Sequence, residues 1–399
     1  MESNTSKPII ELNSVTKIFG DKPEIALSLI DQGLDAPSIQ EQTSQVVAAA
    51  DVSFSVNKGE IFMIMGLSGS GKSTLARCIN QLHSIERGAV YLEGIDLSKM
   101  DPKQMREIRL NRITMMFQSF GLFPHKTVLD NVGFGLKMKG IPAKDRKEKG
   151  LEVLDTVGLT DWASRRPGEL SGGMQQRVGL ARALATDADV LIMDEPFSAL
   201  DPLIRKDMQD MFIGLQKKLK KTIIFITHDL HEAIKMGDVL SIMKDGRIEQ
   251  IGTAEQIISK PATKYVGRFT EDINRSQVIS IASIGKPSEA LVQNQDGVES
   301  ALSKMEQLDR NALYVVDNDE KPVGIVSKCD VLQASGANQK TINQIINKSF
   351  PQSPPDVPIA DVLKLMRNHS PLAIVGKDGK LQSVVSQIDI FGTLAGLSK

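Results

Sequence analysis

Several runs in this chain are apolar at nearly every position rather than at every second one: 61–65 (Ile-Phe-Met-Ile-Met), 113–117, 190–193 and 222–227. Runs of this kind predict strands buried on both faces of a parallel sheet. Other stretches alternate. Residues 9–19 alternate polar and apolar up to Phe19 and then meet Gly20, which predicts an edge strand and a turn. Residues 52–56 predict a half-buried strand, 57–60 a turn, and 89–92 with 94–96 an antiparallel pair. Residues 239–243 and 248–251 predict a hairpin that turns at Asp245-Gly246. Helical spacing governs 128–162, where Val153, Leu154, Val157 and Leu159 share a face and 144–149 is a solvated charge run. A second helix is expected from Leu170 through Leu184, with Ser171 as its cap. Residues 21–50 interrupt the strand pattern. Ile25, Leu27, Leu29 and Ile30 predict a short amphipathic helix, Gly33 and Pro37 break it, and 38–50 predict another helix. This insert has no chemical signature. The polar stretch 261–275 is the expected linker.

Beyond it the pattern repeats. Gly324-Ile325-Val326-Ser327-Lys328-Cys329-Asp330 aligns with Ser383-Val384-Val385-Ser386-Gln387-Ile388-Asp389. Each follows a short apolar strand (312–316, 372–375) and a charged turn (317–321, 376–380), and residues 351–358 join the copies. Two copies of helix–strand–turn–strand–helix predict a small pseudo-symmetric domain with a shared core.

Composition narrows the function. With 399 residues and 41% hydrophobic content, about two to three domains are expected. Lys+Arg 48 against Asp+Glu 49 leaves no basic stripe, which argues against nucleic acid as the main ligand. Cys78 and Cys329 lack metal-ligand spacing, so a reduced, cytosolic protein is expected. Residues 1–6 are polar without a targeting pattern, and no apolar run nears the roughly 18 residues of a membrane span. Any membrane role must come through a partner.

The chemistry centres on Gly66-Leu67-Ser68-Gly69-Ser70-Gly71-Lys72-Ser73-Thr74, a G-x-x-x-x-G-K-[ST] phosphate loop between an apolar strand and a helix. Its glycines let backbone N–H groups wrap phosphates, Lys72 adds a full charge, and Ser73 can ligate Mg²⁺. Gln118, Asp194-Glu195 and His228 end other predicted parallel strands, the edge where ligands bind in an open α/β sheet. Asp194 suits Mg²⁺, Glu195 the attacking water, His228 the γ-phosphate, and Gln118 the Mg²⁺ shell. Taken singly, a strand-end aspartate often caps a helix and a lone histidine is often structural; their joint placement beside a phosphate loop carries the reading. Phe19 is open between a core aromatic and a base-stacking ring.

From these residues the chain resembles the ATP-binding subunits of ABC transporters over residues 8–270. Leu170 to Arg177 reads L-S-G-G-M-Q-Q-R, like the family's signature; residues 190–196 resemble its Walker B segment, Ser198-Ala199-Leu200-Asp201 its D-loop, Gln118 its Q-loop and His228 its switch histidine. The resemblance implies a phosphate-loop NTPase of α/β class at 1–270, with a mixed core sheet, an antiparallel β subdomain and a helical signature subdomain, and the insert at about 21–50. It implies that ATP and Mg²⁺ are bound, with Phe19 stacking on adenine. It also implies that Ser171, Gly172, Gly173 and Gln175, with Asp201, complete the site of a second copy in a head-to-tail sandwich. The segment 118–125, with Phe123-Pro124-His125, lies where the family meets its membrane permease.

Residues 61–74, 197–209 and the insert look most like importers of glycine betaine, proline, carnitine and related amines, peripheral to the cytoplasmic face of the membrane and fed by a substrate-binding protein or domain. The repeat resembles an α+β tandem CBS pair at 271–399. In such pairs Ser327, Asp330, Ser386 and Asp389 would contact a nucleotide, and in this importer group the module resembles a gate for ionic strength or for cyclic di-AMP or another adenine nucleotide. Packing and dimerisation alone remain the alternative. The second copy departs at Ser383, where the usual glycine is absent. Non-transport ABC ATPases would need a coiled coil, a duplicated cassette or basic arms. A catalytically dead sensor fits poorly with intact Lys72, Asp194, Glu195 and His228.

Overall fold

The computed structural model describes residues 7–119, 121–287, 290–293, 295–366 and 370–395. The polar start at 1–6 and Phe120 of the 118–125 segment lie outside the described residues. The chain divides into two compact units. One runs to Ile257 and takes in Pro261–Glu271; the other takes Ile258–Lys260 and resumes at Asp272.

The strands of the first unit are β1 (Ile10–Phe19), β2 (Val46–Val56), β3 (Ile61–Met65), β4 (Arg87–Leu92), β5 (Ile95–Asp96), β6 (Ile113–Met116), β7 (Val190–Asp194), β8 (Thr222–Thr227), β9 (Val239–Lys244) and β10 (Arg247–Gly252). They form an antiparallel sheet, β2-β1-β4-β5, and a mixed sheet, β10-β9-β3-β8-β7-β6, in which only β10 runs antiparallel to its neighbour. The largely apolar runs β3, β7 and β8 are buried along their whole length, as a sheet covered on both faces requires. The 113–117 run is not: β6 is the edge strand of this sheet, with Thr114 and Met115 half-buried and Phe117 exposed. Core residues come from both sheets, with Phe54 of β2 stacked on Phe62 of β3 at 4.5 Å between ring centroids. Phe62 is 1% exposed. Phe62→Ala is therefore expected to cost about 3–5 kcal/mol, read as a lower denaturant midpoint at unchanged slope.

Several local expectations change. β1 is an interior strand, paired with β2 and with β4. Alternation reports which face of a strand is wet and is silent about whether its two edges are paired. The second helix of the insert ends at Thr43, after which 46–50 join β2 opposite the end of β1, Phe19 facing Val46. Pairing with β1 overrides the helix propensity of the three alanines there. The first insert helix ends at Asp31, ahead of Gly33, and Pro37 sits in the opening turn of the second, beside the Asp35 carboxylate that accepts from the Ser38 N–H at 2.9 Å. The stretch 261–275 is more than a connector: it carries the helix Lys264–Phe269, capped by Thr263. Residues 128–162 are helical in pieces, Val128–Val132, Phe134–Met138 and Ala143–Thr156, with a short turn of 3₁₀ helix at Thr160–Trp162.

The second unit repeats as its sequence does. Strands β11 (Leu291–Val292), β12 (Ala312–Val316) and β13 (Pro322–Ser327) make one sheet; β14 (Gln352–Ser353), β15 (Leu372–Val375) and β16 (Leu381–Val385) make the other, each with one parallel and one antiparallel pairing. Tyr314, Ile325 and Ala373 pack where the copies meet, and the Tyr314 hydroxyl donates to the Pro371 carbonyl at 2.7 Å. The repeat's Gly/Ser difference has a steric reason. A Cβ on Gly324 would lie 2.2 Å from Ile346 and 2.8 Å from the Asn347 carbonyl. At the matching place Ser383 faces Gly285, which keeps the space open in its stead.

Candidate functional site

The phosphate loop leaves β3 and enters the helix Lys72–Ile79. Gly71 sits at φ +97°, and a Cβ there would meet the Ala48 carbonyl at 1.9 Å, so only glycine lets the loop close against β2. Lys72 is 4% exposed. Its ammonium donates to the carbonyls of Gly66 and Leu67, both at 2.8 Å, and lies 3.5 Å from the Ser70 hydroxyl. Burial lowers its pKa, against the pull of Glu195 and Asp194. Ser68 and Gly69 are exposed at the loop's tip, and Thr74 is half-buried in the helix.

The strand ends bring the expected polar groups together. The Ser73 hydroxyl donates to Asp194 Oδ1 at 2.7 Å. Asp194 is 2% exposed, and burial raises its pKa despite the Ser73 hydrogen bond and the Arg77 charge 3.9 Å away. Glu195 adopts φ +47°, a costly conformation for a side chain of this size. Its Oε2 accepts from Gln118 Nε2 at 3.4 Å and lies 3.2 Å from His228 Nδ1. Ser198, read as the first residue of the D-loop but given no role of its own, ties these groups: its hydroxyl donates to the Glu195 carbonyl at 3.0 Å and accepts from Gln118 at 3.4 Å.

Other expected residues stand apart. Ser171 caps the helix Gly172–Ala185, and Ser171 and Gly172 are exposed. Gln175 Nε2 donates to the Leu170 carbonyl at 3.2 Å. Among the described residues no hydrogen bond or ion pair links Ser171, Gly172, Gly173 or Gln175 to the phosphate loop. Asp201 caps the helix Pro202–Leu219, accepting from the Ile204 N–H at 3.1 Å, and Gly173 packs against Ile204. Phe19 lies at the end of β1 in the antiparallel sheet.

Beneath His228 lies a buried carboxylate that sequence reasoning missed. Glu232 accepts from the Thr227 hydroxyl at 2.7 Å and from Gln209 at 3.1 Å, and burial raises its pKa. A raised carboxyl pKa means the folded state binds the proton more tightly. Its stabilising contribution is full below the unfolded value near 4.5 and is lost as pH rises through the folded value. Glu232→Gln should remove this dependence, so the urea midpoint of the variant gains on wild type between pH 4 and pH 8. Parallel midpoints across that range would refute the assignment.

Comparison with known proteins adds the family. Residues 49–198 match the model described as ABC transporter, and 284–337 and 342–396 each match CBS domain. The glycine betaine/carnitine transport ATP-binding protein GbuA of Listeria monocytogenes is 42% identical over 387 residues, 97% of this chain and 98% of that one. The glycine betaine transport ATP-binding protein OpuAA of Bacillus subtilis is 42% identical over 392 residues, 98% of this chain and 93% of that one. A solved dimeric structure of the ATP-binding cassette MJ0796, in a post-hydrolysis state bound to ADP and Pi, shares the fold with a TM-score of 0.53 at 30% identity, covering 61% of this chain and 98% of that one. With that identity along nearly its whole length, and with a phosphate loop, signature and strand-end carboxylates in place, the chain belongs to the ABC transporter ATP-binding subunits, the transport-coupled ATPases, in the group of the glycine betaine transport proteins and with a CBS pair of its own.

Proposed function

We propose that this chain powers import of a small quaternary-amine osmoprotectant of the glycine betaine kind, as two copies paired head to tail on the cytoplasmic face of a membrane permease that a substrate-binding protein or domain feeds. One observation carries the hydrolytic part: the Ser73–Asp194 hydrogen bond and the Gln118–Glu195–His228 group gather at neighbouring strand ends beside the buried Lys72 ammonium. The cargo class comes from the names of the relatives.

ATP is the substrate. Lys72 turns from the Gly66 and Leu67 carbonyls to its phosphates, while Gly66, Ser68, Gly69, Ser70, Gly71 and Thr74 shape the loop around them. The Ser73 hydroxyl, the Asp194 carboxylate and the Gln118 carbonyl form a hard-oxygen set that fits Mg²⁺, which when bound offsets phosphate charge. Glu195 takes the proton of the attacking water, and His228 orients Glu195 and faces the γ-phosphate. Ser171, Gly172, Gly173 and Gln175, exposed or free of their own phosphate loop, serve the second copy's nucleotide together with Asp201. Phe19 stacks on adenine.

Permease docking is supported around Phe123. Asn131 holds its backbone at both N–H and carbonyl, 2.8 and 3.1 Å, and its ring packs on Phe134 at 4.6 Å. A cavity of about 350 Å³ opens there between Phe117, Phe134 and Met138. Among the described residues no helix is long and apolar enough to cross a membrane. The CBS pair serves as a gate for ionic strength or for an adenine nucleotide such as cyclic di-AMP. Ser327 donates to Asp330 at 2.6 Å and Ser386 to Asp389 at 2.5 Å, and a cleft of about 210 Å³ exposes Lys286, Arg310, Ser386 and Asp389.

The test is reconstitution with the membrane subunit. Glycine betaine should stimulate ATP hydrolysis; absence of stimulation at every ionic strength would refute the cargo. Ser327→Ala with Asp330→Ala should shift the response to salt or cyclic di-AMP and leave basal hydrolysis intact. A wild type that responds to neither would reduce the CBS pair to a packing module.

A further inference from the structure

The Phe19 ring is held on more sides than its place at a strand end explains. Lys17, two residues earlier and so on the same face of β1, sets its ammonium 5.0 Å from the ring centroid. His83 meets the ring edge-on, 5.4 Å between centroids with planes at 88°. Lys17 is 6% exposed, an expensive place for an ammonium unless it is paired. Glu86 pairs it at 2.8 Å and accepts from the Ile18 N–H at 2.7 Å, so one carboxylate fixes both the cation and the backbone that carries the ring. Beyond the ring, Gln45 fills the space against Gly20 and accepts from the Lys22 N–H at 3.2 Å. Phe19 itself stays 38% exposed. Burial lowers the His83 pKa, and the charges of Arg77 and Lys17 lower it further.

Among the described residues none of these groups reaches the phosphate loop or the strand-end carboxylates by a hydrogen bond or ion pair, apart from Arg77, which lies near Asp194. Their chemistry points at the ring. A cation over one face of an aromatic draws on its π density, which leaves the opposite face better matched to a flat, electron-rich partner. Purines are such partners and pyrimidines offer less surface.

We propose that Lys17, Glu86 and His83 are positioning residues for the nucleobase, holding and polarising Phe19 so that the site selects a purine nucleotide. This rests on the reading of Phe19 as the base-stacking residue.

The test measures, on the purified full chain with Mg²⁺, the KM for ATP and for CTP and the inhibition constant of inorganic tripolyphosphate, which has phosphates and no base. Lys17→Met should raise the KM for ATP about 3- to 10-fold and narrow the ATP-over-CTP preference, with tripolyphosphate inhibition unchanged. Because that change leaves Glu86 without its cation, the neutral pair Lys17→Met with Glu86→Gln carries the same expectation if the single variant fails to fold. His83→Ala should raise the KM for ATP about 2- to 5-fold, and His83→Phe, which restores an aromatic edge, should recover it. An unchanged KM for ATP in the Lys17 variants, or a matching loss of tripolyphosphate inhibition, would overturn the proposal.

Two controls separate the layers. Phe19→Ala should weaken ATP about 10- to 100-fold and spare tripolyphosphate. If it does not, the base platform and this proposal fall together while the phosphate-loop reading stands. If Lys72→Ala leaves both ligands bound as in wild type, the hydrolytic reading itself falls.

Discussion

Glu195→Gln chains should bind ATP, hydrolyse it about 10²- to 10⁴-fold more slowly than wild type, and accumulate as an ATP-bound pair of copies. Glutamine keeps the side chain's shape, so the contacts with Gln118 and His228 have partners of the same size. What it lacks is a base. The backbone at 195 already sits at φ +47°, and Ser198 holds its carbonyl at 3.0 Å, so the substitution changes the proton acceptor without moving it. Single-turnover hydrolysis and size-exclusion chromatography with and without ATP read the two halves of this result. Near-normal turnover would remove Glu195 from the role of base. Turnover lost with no ATP-dependent pairing would leave the base in place and refute the sandwich.

Lys72→Ala should weaken nucleotide binding about 10- to 100-fold, the worth of charge-assisted hydrogen bonds to phosphate. The fold should tolerate it. Burial disfavours the charged amine in the free chain, as its lowered pKa records, so removing it relieves a desolvation cost. Of the two carbonyls it releases, that of exposed Leu67 can turn to water, while that of buried Gly66 loses its partner at a cost of about 1–3 kcal/mol. Titration with a fluorescent ATP analogue measures the loss, and a thermal melt without nucleotide checks the fold. Wild-type affinity in a chain that melts normally would refute the phosphate-loop assignment.

Much of this site was legible before any coordinates. The phosphate loop shows itself because its glycines, its lysine and its hydroxyl must be neighbours in the chain. Asp194, Glu195 and His228 were legible because they end runs too apolar to be anything but buried strands. Lys17, Glu86 and Glu232 were not, since each matters through a partner distant in sequence, Glu86 and Lys17 for each other and Gln209 for Glu232; Ser198 was legible as a D-loop residue, but its contact with Gln118 was not. The edge position assigned to β1 failed for a similar reason, because its second neighbour, β4, lies beyond the whole phosphate loop.

The amino-acid sequence by itself determined the class of chemistry, the two-part organisation and the internal repeat, all carried by local spacing and by hydrophobic period. Only the tertiary structure decided which strands are neighbours, that Ser73 reaches Asp194 across 121 positions at 2.7 Å, and that the Phe19 ring rests against Lys17 and His83. The physical reason is that periodicity records how each element meets the core, whereas pairing and side-chain contact depend on the order in which the sheet assembles its strands, and that order is set by the packing of the whole unit.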